Sequence, residues 1–257
     1  MPLTVPQPAG GLGNWLFQFA AAMAWGDDVV LCPTLNNLAA HTSLDYYSTL
    51  FRKFKKIEGL PRLTDLNEPE GNPILTISNI KEILKARNTR LCGYFQDWRY
   101  IPAGYVEMLE FANPPLLNKY PRLPTSCFIH IRGGDYIHHP DVRPVHYIDL
   151  TSYYRECIRR VRERGITHFS IFTNDIDFCM SQPWLSDIDY EIIQENEVDS
   201  LYLMTRCAAA ICPNSTFSWW GAFLNRDRPI YLPSKWFNNS FRTEGYYFPG
   251  VEVVDII

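Results

Sequence analysis

Short apolar runs, turn residues and one longer apolar stretch succeed one another at the start of the chain. Residues 3–9 predict a short strand despite two prolines, residues 29–32 predict a buried strand, and the apolar stretch 14–25 between them predicts a helix. A glycine-rich turn at residues 10–13 joins the first strand to this helix. A strand, a glycine turn, a helix and a second strand in this order are typical of the opening of a parallel α/β sheet.

The same alternation continues in the second half of the chain. The uncharged segment 126–131 predicts a strand in the middle of a sheet. The elements predicted after it are helices over 153–164, 199–210 and 218–224 and strands over 168–173, 211–213 and 229–232. This half also has the pattern of a parallel α/β domain.

A proline-rich segment separates the two halves. Residues 112–124 contain four prolines, which fit neither a helix interior nor a central strand. We therefore expect an N-terminal α/β domain over residues 1–115 and a C-terminal α/β domain over residues 116–257. Within the first domain, the polar residues 60–75 are expected to form a loop, and an apolar segment over 89–95 leads into Gly93-Tyr-Phe-Gln-Asp-Trp.

Composition and charge exclude several classes of protein. The chain has 257 residues with a net charge of -4, which argues against a nucleic-acid partner. No apolar run reaches the roughly 18 residues that a membrane span needs, and the N-terminus lacks the basic flank of a secretory signal, so a soluble cytoplasmic protein is expected. The seven cysteines have no Cys-x-x-Cys spacing and are expected to be free thiols.

Four polar or glycine-rich segments follow predicted strands and are candidates for a ligand site. In the first, Gly11, Gly13 and Asn14 lie between a strand and a helix, where backbone N–H groups could approach a phosphate. The alternative is a tight structural turn in which Asn14 caps the helix. In the second segment, His130 and Arg132 lie on one face at a strand end.

Several alternatives for these segments stay open at this point. The Arg132 guanidinium could pair with Asp135 or clamp a diphosphate. In the third segment, Asn174 and Asp175 could accept hydrogen bonds from a purine or a ribose, or could cap a helix. In the fourth, residues 214–221, the hydroxyl groups and a helix start could hold an anion, or the aromatic residues could pack the core. The histidines His138, His139 and His146 lack metal-ligand spacing, so we expect solvated or hydrogen-bonded side chains and no metal.

Together, the four segments resemble one enzyme family, the α-1,2-fucosyltransferases of the glycosyltransferase family 11 type. Gly10-Gly-Leu-Gly-Asn-Trp-Leu-Phe-Gln18 is similar to the family's "GGLGNQMFQ", and His130-Ile-Arg-Gly-Gly-Asp-Tyr136 resembles "HIRRGDY". Phe172-Thr-Asn-Asp175 is similar to "FSDD". Asp199-Ser-Leu-Tyr-Leu-Met-Thr-Arg-Cys followed by Asn214-Ser-Thr-Phe-Ser-Trp-Trp-Gly-Ala-Phe-Leu-Asn225 resembles "DLxLMSxC…NSSFSWWGAWLN".

The resemblance implies a GT-B-like fold in which two Rossmann-type domains face a cleft. It implies an inverting glycosyltransferase that moves L-fucose from GDP-fucose to a glycan hydroxyl, galactose O2, without a metal or other cofactor. The acceptor oligosaccharide would lie on the N-terminal domain and the donor on the C-terminal domain. The catalytic set carried over is Arg132, Asn14 and Asp135. The donor-binding set is Gly11, Gly13, His130, Arg132, Asn174, Asp175, Asn214, Ser215, Thr216 and Phe217.

Within these sets the resemblance implies particular roles. Arg132 would hold the diphosphate, and His130 and Asp175 would face the guanosine. Ser215, Thr216 and Phe217 would line the phosphate side. Asn14 and the glycine turn would reach the fucose and the pyrophosphate. Asp135 matches the motif and could serve to orient Arg132, and no general base is assigned.

Two positions depart from the family pattern. The second arginine of "HIRRGDY" is Gly133 here, which removes one cation, and the glutamine after Asn14 is Trp15. These departures keep three alternatives open: a different nucleotide sugar, a different acceptor, or a GDP- or glycan-binding protein with weak turnover. A dinucleotide-dependent oxidoreductase is disfavoured, because the Gly-x-Gly-x-x-Gly spacing is not met.

Overall fold

The computed structural model describes residues 1–35, 44–68, 77–111, 115–239, 241 and 243–256. The chain divides into two compact units, Met1–Ala112 and Asn113–Ile257. The division falls inside the proline-rich segment, of which residues 112–114 lie outside the described part. Further along this segment, Pro115 and Pro124 stand at the starts of two short helical turns, where a proline removes no helical hydrogen bond.

The first unit contains a four-stranded parallel sheet with the order β2-β1-β4-β3. Its strands are β1 (Leu3–Pro6), β2 (Asp28–Val29), β3 (Thr64–Asn67) and β4 (Thr89–Cys92). Its helices are α1 (Leu12–Trp25), α2 (Ile77–Ala86) and α3 (Tyr105–Met108), with a 3-10 turn at Trp98–Tyr100. Helix α1 is apolar on nearly all sides and is buried over most of its length, which is the pattern of a core helix.

The second unit contains a six-stranded parallel sheet with the order β10-β9-β8-β5-β6-β7. Its strands are β5 (Cys127–Ile131), β6 (His168–Thr173), β7 (Asp189–Ile193), β8 (Ala209–Ile211), β9 (Ile230–Pro233) and β10 (Glu252–Val254). Its helices are α4 (Leu116–Lys119), α5 (Asp135–His138), α6 (Arg143–His146), α7 (Thr151–Glu163), α8 (Ile176–Met180), α9 (Glu197–Met204) and α10 (Thr216–Phe223). Three 3-10 turns lie at Leu123–Thr125, Leu185–Asp187 and Glu244–Tyr246.

The strand order of the second unit locates the edge where a ligand fits. Counted from β5, the chain first adds β6 and β7 on one side and then β8, β9 and β10 on the other. This is the order of a doubly wound sheet, and it reverses between β5 and β8. Ligands of such sheets bind outside the carboxyl ends of the strands at that reversal. Helix α7 stabilises the arrangement from one face, because its buried residues Tyr153, Cys157 and Val161 belong to the core over the sheet.

Some predicted elements are wrong, for identifiable reasons. The loop expected over 60–75 contains strand β3, whose mostly exposed polar residues hide its pairing with β4, and residues 69–75 lie outside the described part. The helix expected over 199–210 ends at Met204, because Ala209 and Ala210 belong to β8 and are fully buried between neighbouring strands. Alanine favours helix locally, and the sheet overrides that preference.

Candidate functional site

Three of the predicted segments meet at the carboxyl edge of the second unit's sheet. Strand β5 pairs with β6, with Ile131 opposite Thr173, and with β8, with Ile129 opposite Ile211. The segments that follow these strands contain Arg132, Asn174 with Asp175, and residues 214–217. Because the three strands are adjacent and parallel, the candidate donor residues of this unit are brought to one edge, at the reversal of strand order.

Arg132 places a positively charged guanidinium at the carboxyl edge of the second unit's sheet. Its Nη2 forms an ion pair with Asp135, and its guanidinium carbon lies 4.8 Å from the centre of the Tyr136 ring. Its Nε is buried and has no hydrogen-bond partner among the described residues. The structural pairing with Asp135 is therefore present, and it leaves one buried donor of the guanidinium unsatisfied. A buried donor without a partner is costly, and an anionic oxygen bound here would remove that cost.

The Tyr136 ring, which contacts the Arg132 guanidinium, is itself stacked on His146. The Tyr136 ring lies 4.8 Å from the His146 ring at an interplanar angle of 28°, and His146 in turn contacts the edge of Phe237. The Tyr136 hydroxyl donates to the backbone oxygen of Asn214 at 3.3 Å. The expectation that His146 is solvated or hydrogen-bonded is wrong for its buried Nδ1, which has no partner among the described residues. Burial lowers the pKa of His146, so the stack contains a neutral imidazole.

His130 is buried in β5 beside the arginine. Only 3% of the residue is exposed, and its ring lies 5.6 Å from the ring of Phe217. Phe217 belongs to α10, the helix that follows the neighbouring strand β8. Burial, followed by the charge of Arg132, lowers the pKa of His130 to about 3. His130 is therefore neutral at physiological pH, and its Nδ1 lacks a hydrogen-bond partner in the described part of the chain.

Asn174 and Asp175 tie two loops together. Asn174 Oδ1 accepts from the N–H of Gly133 at 3.0 Å, and Asp175 Oδ2 accepts from the N–H of Gly134 at 2.9 Å. Asp175 Oδ1 accepts from the N–H of Phe178, so Asp175 caps α8. Although burial alone would raise the pKa of Asp175, hydrogen bonds from Phe178, Gly134 and His138 lower it. The capping alternative is thus present, and the contact of Asp175 with guanosine stays a prediction.

The position of Gly133 explains the missing arginine. A Cβ atom built on Gly133 would lie 2.5 Å from the Cβ of Asp175 and 2.7 Å from its Oδ2. The loop after β5 therefore approaches the loop after β6 too closely for any side chain at residue 133. In this chain, glycine at residue 133 removes the second cation of the motif and allows the loop after β5 to form hydrogen bonds with the loop after β6. Sequence reasoning missed this contact, because its partners are far apart in the chain.

In the segment after β8, some residues pack in the core and others lie at the candidate site. Asn214 is 3% exposed, and its Nδ2 donates to the backbone oxygens of His146 and Trp236, both at 2.8 Å. Trp219 and Trp220 are fully buried, so they pack the core as the structural alternative stated. Ser215 is buried at the N-cap of α10, without a side-chain cap hydrogen bond. Thr216 and Phe217 are half-buried at the sheet edge.

In the first unit, the glycine turn is held by carboxamide groups. Helix α1 begins at Leu12 with Gly11 as its N-cap, so the expected capping role of Asn14 is wrong; Asn14 is already helical. Its Oδ1 accepts from Nε2 of Gln96 at 2.8 Å. Gly10 has a φ of +74°, and a Cβ there would lie 2.3 Å from Asn14 Nδ2. Gln18 exchanges hydrogen bonds with the backbone of Ala9 at 3.1 and 3.3 Å.

Trp15, the second departure from the family pattern, is a core residue. It is 6% exposed, and its ring lies 5.1 Å from Tyr46 and 5.6 Å from Phe19. Its Nε1 donates to the backbone oxygen of Gly10 at 3.2 Å. The side chain therefore packs in an aromatic cluster and braces the turn from inside the unit.

Two searches of the described residues complete the picture. No helix among them is both long and apolar enough to cross a bilayer. Within the same residues, no three histidine, cysteine, aspartate or glutamate side chains are grouped so that they could hold a metal ion.

Comparison with known proteins defines the class. The fold is of the α/β type with parallel sheets. It matches the crystal structure of POFUT1 in complex with GDP-fucose, whose fold is of the GT-B type, with a TM-score of 0.51 at 12% identity over 90% of this chain and 97% of that one. Residues 117–250 match the model of glycosyl transferase family 11. The chain is 32% identical to an α-1,2-colitosyltransferase of Escherichia coli, across 94% of its own length and 96% of that protein.

The chain therefore belongs to glycosyl transferase family 11 and is a glycosyltransferase. It is also 25% identical to the putative galactoside 2-alpha-L-fucosyltransferase svh-11 of Caenorhabditis elegans, over 54% of this chain and 43% of that protein. The family resemblance drawn from the four motifs is confirmed, as is the GT-B-like α/β class. The roles of the individual site residues stay predictions.

Proposed function

We propose that the protein transfers L-fucose from GDP-fucose to O2 of a galactose-ended glycan, with inversion at the anomeric carbon and without a metal. The observation that supports this most directly is Arg132. Its guanidinium lies at the reversal of strand order, oriented by Asp135 and stacked on Tyr136, and its buried Nε has no partner among the residues that the structure describes. This is an anion site prepared for an oxygen-rich group such as a diphosphate.

The chemistry of the departing diphosphate suits such a site. Negative charge gathers on the diphosphate as its bond to the sugar breaks and the sugar becomes oxocarbenium-like. Arg132, together with N–H donors of the edge, would stabilise that charge more in the transition state than in the bound donor. The proton of the acceptor hydroxyl can leave late in the reaction, so a weak base or water suffices and no base is assigned.

The groups beside Arg132 suit a purine nucleoside. Neutral His130 and the half-buried ring of Phe217 form an aromatic pair next to the diphosphate position. Asp175 lies on the other side of β5, after β6, where a carboxylate could accept from guanine N–H groups in addition to its present bonds. We assign the guanosine to this edge of the second unit and the acceptor glycan to the first unit.

A second donor sugar is favoured by one finding. The relative that aligns over nearly the whole chain is named for colitose rather than fucose. The two sugars differ at one hydroxyl group, which a few side chains can distinguish. The same diphosphate and guanosine sites would serve GDP-colitose.

Nucleotide titration and a transfer assay test the proposal. Calorimetry with GDP, UDP and dTDP is expected to show tight binding of GDP alone. With EDTA present, radiolabelled GDP-fucose is expected to label lactose, with GDP-colitose as the comparison donor. Preference for UDP or dTDP would overturn the guanosine assignment. Binding of GDP without transfer from either donor would contradict the proposed transfer and indicate a protein that only binds GDP. Loss of transfer in EDTA would overturn metal independence.

A further inference from the structure

Two carboxamide side chains meet at the carboxyl edge of the first unit's sheet. Strands β1 and β4 are parallel neighbours, with Pro6 opposite Leu91. Asn14 follows β1 across the glycine turn, and Gln96 follows β4. Gln96 Nε2 donates to Asn14 Oδ1 at 2.8 Å, and both side chains are half-buried. Gln96 lies outside the four family motifs and is not among the site residues predicted from the sequence.

The loop that carries Gln96 is held in an uncommon conformation. Phe95 has a φ of +50°, and among the described residues it is the one non-glycine residue with positive φ. Its ring is buried 5.4 Å from that of Trp25. The N–H of Tyr94 donates to Glu68 Oε2 at 2.7 Å, and the N–H of Asp97 donates to the oxygen of Phe95 at 2.8 Å. Such strain persists only where the surroundings enforce it, and it is concentrated at functional sites.

The direction of the hydrogen bond fixes the orientation of Asn14. Because Gln96 donates an N–H group to Asn14 Oδ1, the Nδ2 group lies at the opposite side of the same carboxamide. That Nδ2 lies over Gly10, at a place that a Cβ on residue 10 would fill. The turn 9–14 contains no charged residue. A fixed amide donor without a cation suits an uncharged hydroxyl group better than a phosphate.

We infer that Gln96 is a positioning residue that fixes the Asn14 carboxamide, so that its N–H₂ group meets a hydroxyl of the neutral acceptor sugar. This inference rests on the proposed function, since it names the part of the first unit that receives the acceptor. Gln96 acts through Asn14 and need not touch the sugar itself. The exposed ring of Tyr94 in the same loop offers an apolar surface to the sugar ring.

The variant Gln96→Glu tests this, because a carboxylate can only accept. Asn14 must then turn its Nδ2 toward residue 96 and present Oδ1 to the sugar. We expect kcat/KM for lactose to fall by about 100-fold, the effect of a misplaced substrate contact, with the Kd for GDP unchanged. Asn88→Asp is the matched control. It makes the same amide-to-carboxylate change at the amino edge of the same two strands, where Asn88 Oδ1 accepts from the N–H of Leu3, and it is expected to leave kcat/KM unchanged.

A double-mutant cycle separates positioning from a structural role. In an Asn14→Ala background, Gln96→Glu is expected to have no further effect, because the group that it positions is gone. A second loss of about the same factor would instead show an independent role and would overturn the inference, as would wild-type kcat/KM in Gln96→Glu alone.

Lactose binding followed by saturation-transfer NMR needs no turnover. Weaker lactose binding in Gln96→Glu supports the inference even if the wild-type protein transfers neither donor sugar, in which case the proposed function alone fails. Equal lactose binding by wild-type and Gln96→Glu, or its absence in the wild-type protein, overturns the assignment of the pair to the acceptor.

Discussion

The carboxyl edges of the two sheets are built from different chemistry. At the edge of the second unit, Arg132, Asp135 and Asp175 are engaged in ion pairs or charged hydrogen bonds. At the edge of the first, the carboxamides of Asn14 and Gln96 face each other over a turn without charge. Under the proposed function, these edges would serve as an anion site in the second unit and as a site for neutral hydroxyl groups in the first. The two edges therefore differ in side-chain type, although both follow parallel strands.

The two departures from the family pattern also differ between the units. Trp15 is a packing residue inside an aromatic cluster, whereas Gly133 permits two loops of the site to touch. Restoring the family residue should therefore damage stability in the first unit and the geometry of the site in the second.

The largest effect is expected from Trp15→Gln. Removing a buried indole and placing a carboxamide among Phe19, Tyr46 and Phe51 should cost the first unit about 3–5 kcal/mol of unfolding free energy. The Kd for GDP, whose site we propose in the second unit, should not change under native conditions. Urea unfolding followed by fluorescence measures the first quantity and calorimetry the second. Trp15→Phe is the control, with a smaller loss; a fully stable Trp15→Gln protein would contradict the packing role.

Arg132→Ala should lower kcat/KM by about 10²–10³-fold, because it removes the cation that we propose to stabilise the departing diphosphate. The loss should appear in kcat as well as in donor affinity, since the charge is larger in the transition state. Arg155→Ala on the exposed side of α7 is the matched control, because among the described residues it loses an exposed ion pair to Asp187 at 3.4 Å. Unchanged turnover in Arg132→Ala would remove the basis of the proposed function.

Sequence patterns predicted more of the second unit than of the first. Strand β6 has the bounds that the apolar run 168–173 indicates, and the pairing of Arg132 with Asp135 was among the stated alternatives. Both depend on neighbours in the chain. The edge strands β7 and β10 gave no strong pattern. In β7, Asp189 and Glu191 interrupt the apolar residues, and β10 is only three residues long and begins with Glu252.

What could not be predicted depends on contacts between distant residues. Gln96 meets Asn14 only once β1 and β4 are paired, and no local periodicity shows that. Likewise, the approach of Gly133 to Asp175 follows from the pairing of β5 with β6. The sequence did show the Gly-Tyr-Phe-Gln-Asp-Trp segment at the end of an apolar run. Its position after a predicted strand was the one signal that could have indicated a site residue there.

Gly133→Arg tests whether the site of the second unit tolerates the family's cation. The added Cβ meets Asp175 at 2.5 Å, so we expect a loss of about 1–3 kcal/mol in stability and weaker GDP binding despite the added charge. Gly133→Ala separates sterics from charge and should show nearly the same loss. Thermal unfolding and calorimetry measure both. Tighter GDP binding by Gly133→Arg would show that the loops can move apart and that the contact is dispensable.

The smallest effect concerns pH and should be confined to the second unit. Burial lowers the pKa of His130 from its ordinary value of 6.5 to about 3, so the folded protein keeps it neutral while the unfolded chain binds a proton below pH 6.5. The stabilising contribution is therefore complete above pH 6.5 and is lost as the pH falls toward 3. Between pH 6.5 and 5.5 the loss should approach about 1 kcal/mol.

His130→Phe should remove this part of the pH dependence, because phenylalanine does not titrate. His146, whose pKa burial also lowers, contributes in the same direction in both proteins, so the difference between them isolates His130. Urea unfolding of both proteins at pH 7, 6.5 and 5.5 provides the measurement. Parallel stability curves would mean that His130 takes up its proton in the folded state, and the neutral aromatic pair with Phe217 would then be the wrong description of the second unit's edge.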